Sequence, residues 1–517
     1  MPRQATPKPP APSRATALAQ LRDGKPWDML IIGGGATGLG CAVDAATRGY
    51  RTLLVERGDF ACGTSSRSTK LIHGGVRYLR QGELSLVRHA LVERARLLAN
   101  AAPLVHPLPF VIPTHGFAEQ AWYGAGLKLY DLLAGAGSLG DSRWLGRAAV
   151  LAAQPGLRAR GLHGGIQYWD AQFDDARLAI ALMRTAVDQG ASCLNYVALT
   201  GLLKPSPGGH VSGARLRDVE NGEEFEVRAK AVINATGVYA DAVRRLDETT
   251  APPLLTHSQG VHLVVDGGFL PGAAAVLVPK TADGRVLFAI PWQGKVLIGT
   301  TDTARDDLPD DPQPFAAEVD FLLQTAAGVL ARAPRRDDVR SAFAGLRPLF
   351  DPAHTGSNGG AGTAGLSREH AVMVGDSGLV TVTGGKWTTY RWMAEQVVDR
   401  AATVAGLPAV ACGTQRLPLH VADAEAQSDL PGNDIPLLPG YPWTEATVRR
   451  AIRAEAARTI EDILGRRTRA LFLDAAAAAV AIARVGELLA EELALPPARV
   501  QVLAQAAQAA ARRFQLR

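Results

Sequence analysis

Cysteine is scarce in this sequence: Cys41, Cys62, Cys193 and Cys412 are the only four in 517 residues, far apart and never in a C-x-x-C spacing. That argues against a disulfide framework or a zinc site and suits a reducing compartment. There is also no run of 18 or more apolar residues, so the sequence predicts no membrane-spanning segment. The first twenty residues, MPRQATPKPPAPSRATALAQ, hold Pro and Ala but no apolar h-region. A disordered tail over 1–26 is therefore expected rather than a signal peptide. Dense Lys/Arg blocks and aromatic-interleaved basic stripes are missing too, which speaks against nucleic acid as a partner. No fixed-period repeat is visible.

What is present is ordinary globular material. A mass of 54.5 kDa leaves room for two or three domains with sizeable cores, and 47% hydrophobic with 20% charged residues is usual for a folded chain. The net charge of +5 and pI near 9.1 suit an anionic substrate or an anionic membrane surface, although solvated surface arginines account for most of the excess.

The most informative stretch is 27–56. An apolar run (Met29 to Ile32) enters the spacing Gly33-x-Gly35-x-x-Gly38, an Ala-rich helix follows, and a second strand ends at Glu56. Gly33 permits the tight turn, Gly35 lets backbone approach a pyrophosphate, and Gly38 lets helix and sheet pack closely. The helix N-terminus offers free N–H groups and a positive dipole end to phosphate. Glu56 is placed to accept hydrogen bonds from a ribose, and an acid there favours FAD or NAD over NADP.

Further along, helices are expected at about 83–100 and 174–190, strands at about 192–203 and 230–237, and turns at 205–209 and 220–224. Short β-rich runs separated by Gly, Pro and Asp fill 254–301, and 354–365 is a low-complexity loop. A strand at 378–383 runs into Gly384-Gly385 and a helix from Trp387 to Ala405; Ala- and Arg-rich helices follow a linker at 428–442. A plain NAD fold would continue with compact β/α alternation, whereas here a β-rich insertion interrupts the nucleotide domain, as suits a flavoprotein. The expected architecture is α/β (α+β overall): a Rossmann-like FAD-binding domain built from 27–110, 155–250 and 366–405. An inserted antiparallel substrate sheet takes 111–154 and 251–365, and a C-terminal helical cap domain takes 406–517.

Hydroxyls and bases crowd residues 62–79, CGTSSRSTKLIHGGVRYL. Thr64, Ser65, Ser66 and Ser68 can donate to pyrophosphate and ribitol oxygens, Lys70 and His73 can face the isoalloxazine, and Gly74-Gly75 would let backbone lie against its ring. Val197, on the strand at 192–203, and Ala235 and Gly237, on the return at 230–237, are assigned to the cofactor as well, as are Gly385 and Lys386.

At this point the sequence resembles the aerobic, FAD-dependent glycerol-3-phosphate dehydrogenases. The matching segments are IIGGGATGLG (31–40), TSSRSTKLIHGGVRYL (64–79), DDARL (174–178), NATG (234–237), IGTTD (298–302), GLRPL (345–349) and GGKWTTYR (384–391). One departure is Trp387, where a leucine is usual. The resemblance implies that sn-glycerol 3-phosphate is oxidised to dihydroxyacetone phosphate, with FAD accepting the electrons and a membrane quinone receiving them. A phosphate dianion needs a cation cluster, and Arg77, Arg347 and Lys386 stand in the matching motifs, with Tyr78 as a further donor. Removal of the C2 hydroxyl proton suits a neutral histidine; His262 matches a family histidine, and His73 competes with it. Lys386, at a helix N-terminus after Gly384-Gly385, would stabilise negative charge near the flavin pyrimidine. Asp302, Asp174 and Asp175 receive no catalytic role, since turn capping or salt bridging explains them.

With no iron–sulfur or haem spacing, electrons leave directly, and a lipid-soluble acceptor requires bilayer contact. The segment 121–146 offers Trp122, Tyr123, Leu127, Leu129, Tyr130 and Trp144 beside Lys128, Arg143 and Arg147, a mixture that interfacial helices use. An internal packing role is the alternative. The implied location is cytoplasmic, peripherally on the inner face of the cell membrane, with a homodimer possible. A glycerol-3-phosphate oxidase using O2, an amino-acid oxidase and a non-catalytic flavin-binding module remain as other readings.

Overall fold

The computed structural model describes residues 14–79, 82–281, 284–350, 370–420 and 430–516, without the side chain of Arg77. The loop expected at 354–365 and the first thirteen residues lie outside these.

A parallel sheet forms around Trp27–Ile32, because its residues are apolar on both faces. Thr52–Val55 pairs with it on one side and Glu224–Asn234 on the other, both parallel. Ser192–Leu194 extends one edge, and Val380–Gly384 extends the other, with His370–Val374 antiparallel beyond it. Met29 and Ile31 face the helices Ala36–Thr47, Asp175–Asp188 and Tyr390–Val404. Leu30 and Ile32 face a meander of Val197–Leu203, Gly213–Asp218 and Glu224–Asn234.

That second face corrects the expectation of a disordered tail over 1–26. Arg14–Arg22 is a helix whose Ala17, Leu18 and Leu21 are buried against the meander side of the sheet. Arg14 also donates to Asp218 at 2.9 Å, so the helix has both an apolar seat and an ionic tether.

A second, mostly antiparallel sheet stands beside the first. Its long strands Leu255–Asp266 and Val339–Phe350 pair so that His262 is opposite Phe343 and Ser258 opposite Arg347. Leu255–Asp266 also pairs with Lys295–Gly299, placing His262 opposite Gly299. This sheet draws on more of the chain than 111–154 and 251–365: Leu71–Ile72, Val105–Thr114 and Gly164–Phe173 are also its strands. Composition gave no sign of this, because pairing partners rather than hydrophobicity decide sheet membership.

One face of the second sheet packs on the helix Ala316–Val329. The other shares a core with the C-terminal helices, so Phe343 sits with Phe472, Leu471 and Ile463. These helices are Glu445–Ala454, Ala475–Leu493 and Pro497–Phe514, with a π-helical turn at Asp462–Arg467 and a short helix at Ala470–Leu473.

Candidate functional site

The glycine turn joins Trp27–Ile32 to Ala36–Thr47. Gly33 has φ +111°, and a Cβ there would fall 2.6 Å from Ala235 O; a Cβ on Gly38 would fall 1.9 Å from Gly33 O. Neither position tolerates a side chain, so strand, turn and helix N-terminus stay as close as a pyrophosphate cradle requires. Gly35 lies against Ser65, whose Oγ accepts from Ala36 N at 2.9 Å. Glu56 accepts from Gly34 N at 2.7 Å and Gly58 N at 2.9 Å, and burial pushes its carboxyl up. Val197 N donates to Glu56 O, and Ala235 N to Ile32 O, so both later strands close on this turn. Gly237 follows at φ +59°. The donor set fits a dinucleotide: a helix N-terminus, a glycine turn without side chains and a carboxylate at the end of the second strand.

Other hydroxyls in the TSSRST run point elsewhere. Thr64 donates to Leu346 O at 2.6 Å, Ser66 is buried with its hydroxyl toward Gly63 O, and Ser68 donates to Asp175 at 2.7 Å. Ser65 is the one that the structure sets at the glycine turn.

Lys70 is a clear correction. Expected at the isoalloxazine, its Nζ is instead engaged in an internal ion pair: it is fully buried and donates to Asp175 at 2.6 Å and to Ser66 O at 2.9 Å. Around it are the rings of Phe343, Trp292 and Phe472. Burial pushes the ammonium down to about 8, with Asp175 opposing. Burial would raise the Asp175 carboxyl, but Lys70 and Arg469 outweigh it and hold it low. Asp175 thus knots the 66–70 turn: it also accepts from Ser68 N at 3.0 Å, and Arg469 reaches both it and Ser66 O. Asp174 caps the helix Asp175–Asp188 by accepting from Arg177 N, the structural part expected of it.

His262 is 2% exposed, and its Nε2 lies 2.9 Å from Thr69 Oγ1. Burial, with the charges of Lys70 and Arg347, holds its pKa well below the usual 6.5, so the imidazole is neutral. Arg347 stands on the partner strand opposite Ser258, four positions along from His262. Its guanidinium donates to Thr300 Oγ1 at 2.9 Å, Thr301 O at 3.1 Å and Ser258 Oγ at 3.3 Å, and lies 3.6 Å from Asp302. Ser258 in turn donates to Asp302. A Cβ on Gly260 would fall 2.1 Å from the guanidinium, so the absence of a side chain there makes the room.

Val380–Gly384 lies against the Val339–Phe350 strand and delivers the GGK turn. Gly385 has φ +78°, and Lys386 Nζ sits 3.9 Å from the centre of the Tyr78 ring. His73 N donates to Thr388 Oγ1 at 3.2 Å, which stitches the LIHGG and GGKWTT segments together. Gly74 N donates to the Tyr130 hydroxyl at 2.8 Å. Trp387, the departure from the family spelling, donates from Nε1 to Ser65 O at 2.9 Å and so ties this turn to the glycine turn. Arg77 lies on the short helix Val76–Leu79, and its side chain is outside the described residues.

Several contributors were missed in the sequence: Thr69, Ser258 and Thr300, and the arginines of the C-terminal helices. Arg466 and Arg467 both reach the buried Asp59, three residues beyond Glu56. Burial would raise Asp59, but these two guanidinium groups hold it below its ordinary range. The run GRRTR (465–469) was a visible signal, since so many arginines beside apolar residues call for buried partners.

The segment 121–146 divides. On the helix Phe117–Ala134, Leu127 and Tyr130 are buried, as suits internal packing. The opposite side carries Ala118, Trp122, Ala125, Leu129 and Leu132, all exposed, with Trp122 at 68% and Leu132 at 75%. Trp144, Lys128, Arg143 and Arg147 are exposed nearby.

A family model described as FAD dependent oxidoreductase matches residues 28–391, and one described as the C-terminal domain of alpha-glycerophosphate oxidase matches 413–500. The mitochondrial glycerol-3-phosphate dehydrogenase of Mesocricetus auratus is 41% identical, over 93% of this chain and 72% of its own length. That of Arabidopsis thaliana is 39% identical, over 93% and 86%. Among solved structures, the glycerol-3-phosphate dehydrogenase of Bacillus halodurans, complexed with FAD, superposes with a TM-score of 0.78 at 29% identity and covers 98% of each chain.

Proposed function

The chain belongs to the FAD-dependent glycerol-3-phosphate dehydrogenase family, and on that premise we propose how its residues oxidise sn-glycerol 3-phosphate to dihydroxyacetone phosphate. FAD, when bound, supplies the two-electron acceptor. Arg347 grips the phosphate; its fork is already aimed by Thr300, Thr301 O and Ser258, so little rotamer entropy is lost on binding. Arg77 and Tyr78 are assigned to the same phosphate by the RYL motif that the chain shares with its family. Lys386 sets a positive charge on the flavin side of the site. His262, kept neutral by burial and two nearby cations, takes the C2 hydroxyl proton. The observation that carries this reading is the placing of a buried neutral histidine and a pre-aimed guanidinium on one pair of strands, four positions apart along each.

An anaerobic titration of the holoprotein, following flavin absorbance, tests it. Glycerol 3-phosphate should abolish the absorbance and glycerol should not, and Arg347→Ala should remove that preference. Equal response to both compounds would refute the phosphate grip.

The acceptor is proposed to be a membrane quinone reached from the inner face of the cell membrane. Support comes from the exposed stripe Ala118–Trp122–Ala125–Leu129–Leu132, flanked by exposed Lys128, Arg143 and Arg147, which suits an anionic lipid surface. No helix among the described residues is long and apolar enough to cross a membrane. The match at 413–500 to an alpha-glycerophosphate oxidase C-terminal domain favours one second reading, O2 as acceptor. Stoichiometric peroxide under air, with no response to quinone analogues, would select it. A homodimer through the C-terminal helices is a further proposal, read by sedimentation.

A further inference from the structure

His262 occupies a socket that fixes its ring and partners only one of its nitrogens. The imidazole lies almost parallel to the Phe343 ring, with centroids 5.1 Å apart and planes 19° apart. Gly299 presses on it from the neighbouring strand, so closely that a Cβ there would fall 2.3 Å from Cδ2. Packing of this kind fixes the ring plane, and the contact with Thr69 selects which edge of the ring turns toward it. In that orientation Nε2 is 2.9 Å from Thr69 Oγ1, while Nδ1 is buried and has no hydrogen-bond partner among the described residues. An orphaned buried polar atom is costly enough that one kept in a site calls for a functional account.

Neutral imidazole carries one proton, and only the other nitrogen can act as a base. With the proton on Nε2, that N–H donates to Thr69 and Nδ1 presents a free lone pair. With the proton on Nδ1, Thr69 donates to Nε2 and nothing is left to accept from the substrate. We propose that Thr69 is a positioning residue that accepts from Nε2–H, making Nδ1 the atom of His262 that takes the C2 hydroxyl proton. This rests on the reading of His262 as the base in glycerol 3-phosphate oxidation. The C2 O–H bond breaks and its proton forms the Nδ1–H bond. The O–H electron pair becomes the second bond of the ketone, and the C2 hydrogen leaves with its electron pair to the acceptor that FAD supplies.

Thr69 is well held for this. It stands on the 66–70 turn, which Asp175 anchors through Ser68 N, Ser68 Oγ and Lys70 Nζ, and Arg469 anchors through Ser66 O. The charged groups acting on the imidazole are Lys70, from that turn, and Arg347, from the Val339–Phe350 strand. Both oppose its protonation. Their own carboxylates, Asp175 and Asp302, stand on the cations rather than on the ring. Thr69 is therefore the neutral acceptor that steadies an imidazolium between two positive charges.

The test uses Thr69→Val and Thr69→Ser in the holoenzyme, with kcat/KM for glycerol 3-phosphate measured against pH. A hydroxyl that accepts from Nε2–H favours the protonated ring, so its removal should lower the histidine pKa and move the acid limb to lower pH. A hydroxyl that donates to Nε2 would compete with the proton, and its removal would move the limb upward. The expected result is a downward shift with kcat reduced roughly tenfold and KM unchanged, both restored in Thr69→Ser. An upward shift or an unmoved limb overturns the proposal. Independently of turnover, 15N NMR of the histidine-labelled holoprotein reads the proton site, with the His262 signals identified by their loss in His262→Gln. A proton on Nε2 supports the assignment and one on Nδ1 overturns it, whether or not Thr69→Val folds. If wild-type holoprotein leaves glycerol 3-phosphate untouched, the functional reading fails, and the NMR result still settles the tautomer separately.

Discussion

Gly260→Ala is the sharpest perturbation of the phosphate grip, because it adds one methyl group and changes no charge. The new Cβ would stand 2.1 Å from Arg347 Nη2 and 2.6 Å from Thr300 Oγ1, whereas ordinary contact begins near 3.4 Å. The guanidinium must therefore withdraw by more than an ångström. That distance breaks its hydrogen bonds to Thr300 Oγ1 at 2.9 Å and Thr301 O at 3.1 Å, and takes the fork off its line to the substrate phosphate. A hydrogen bond to a charged group contributes about 1.5–3 kcal/mol. Loss of one such contact corresponds to a fall in kcat/KM of roughly ten- to 150-fold. Folding stability should fall by about 1–3 kcal/mol from overpacking, which leaves the protein folded and yellow. Steady-state assays with a soluble dye acceptor, alongside Arg347→Ala, measure the effect. If Gly260→Ala keeps wild-type kcat/KM while Arg347→Ala loses it, the space at Gly260 does not set the aim of the guanidinium. If both keep it, Arg347 does not hold the phosphate.

Gly38→Ala would drive a Cβ into Gly33 O, a backbone atom that cannot yield, so the purified protein should retain little FAD; full flavin content by absorbance would count against the turn as the pyrophosphate seat. His262→Gln should lower kcat by about 10²–10⁴ with little change in FAD content. The wild-type acid limb should lie below pH 6.5, because burial, Lys70 and Arg347 keep the imidazole neutral there; a limb above that value contradicts it. Burial would raise the Glu455 carboxyl, but Arg177, Arg450 and Arg467 hold it at about 2 against an ordinary 4.5. Its stabilisation is therefore complete above pH 4.5 and lost as pH falls toward 2. Urea midpoints of Glu455→Gln should vary less with pH across that window than those of wild type. Trp122→Glu with Leu132→Glu should cut sedimentation with anionic vesicles by tenfold or more and leave dye-coupled activity intact, since each buried apolar side chain contributes about 1.5–3 kcal/mol. Unchanged sedimentation would place the membrane contact elsewhere.

Local signals were legible in the sequence and distant partners were not. The turn from Ile32 to Gly38 could be read because its constraints are contiguous: a strand, three glycines and a helix start within a few residues. The helix Asp175–Asp188 and its Asp174 cap were readable for the same reason. Lys70 was misread because its chemistry depends on Asp175 and Arg469, which approach only in the folded chain. Arg14–Arg22 looked like tail because its short apolar face gains meaning only against Leu30 and Ile32 of the first sheet. Gly164–Phe173 shows no preference for either sheet in its sequence, and its pairing with Val105–Thr114, Leu71–Ile72 and Arg143–Gly146 assigns it. In the 121–146 segment the aromatic content was visible, but which residues turn inward was not. Tyr130 goes in to Gly74 and Asp170, and Trp122 goes out.

The arginines at 466 and 467 impose an order of events on the newborn polypeptide. Asp59 is synthesised early, yet its counter-charge Arg466 follows 407 positions later. Until then an acidic group destined for a dry interior lacks the two cations that offset its burial. Coenzyme capture is therefore expected of the completed molecule rather than of its amino-terminal half emerging from the ribosome. Truncation ahead of Arg466 should cost flavin retention even though every residue of the glycine turn survives.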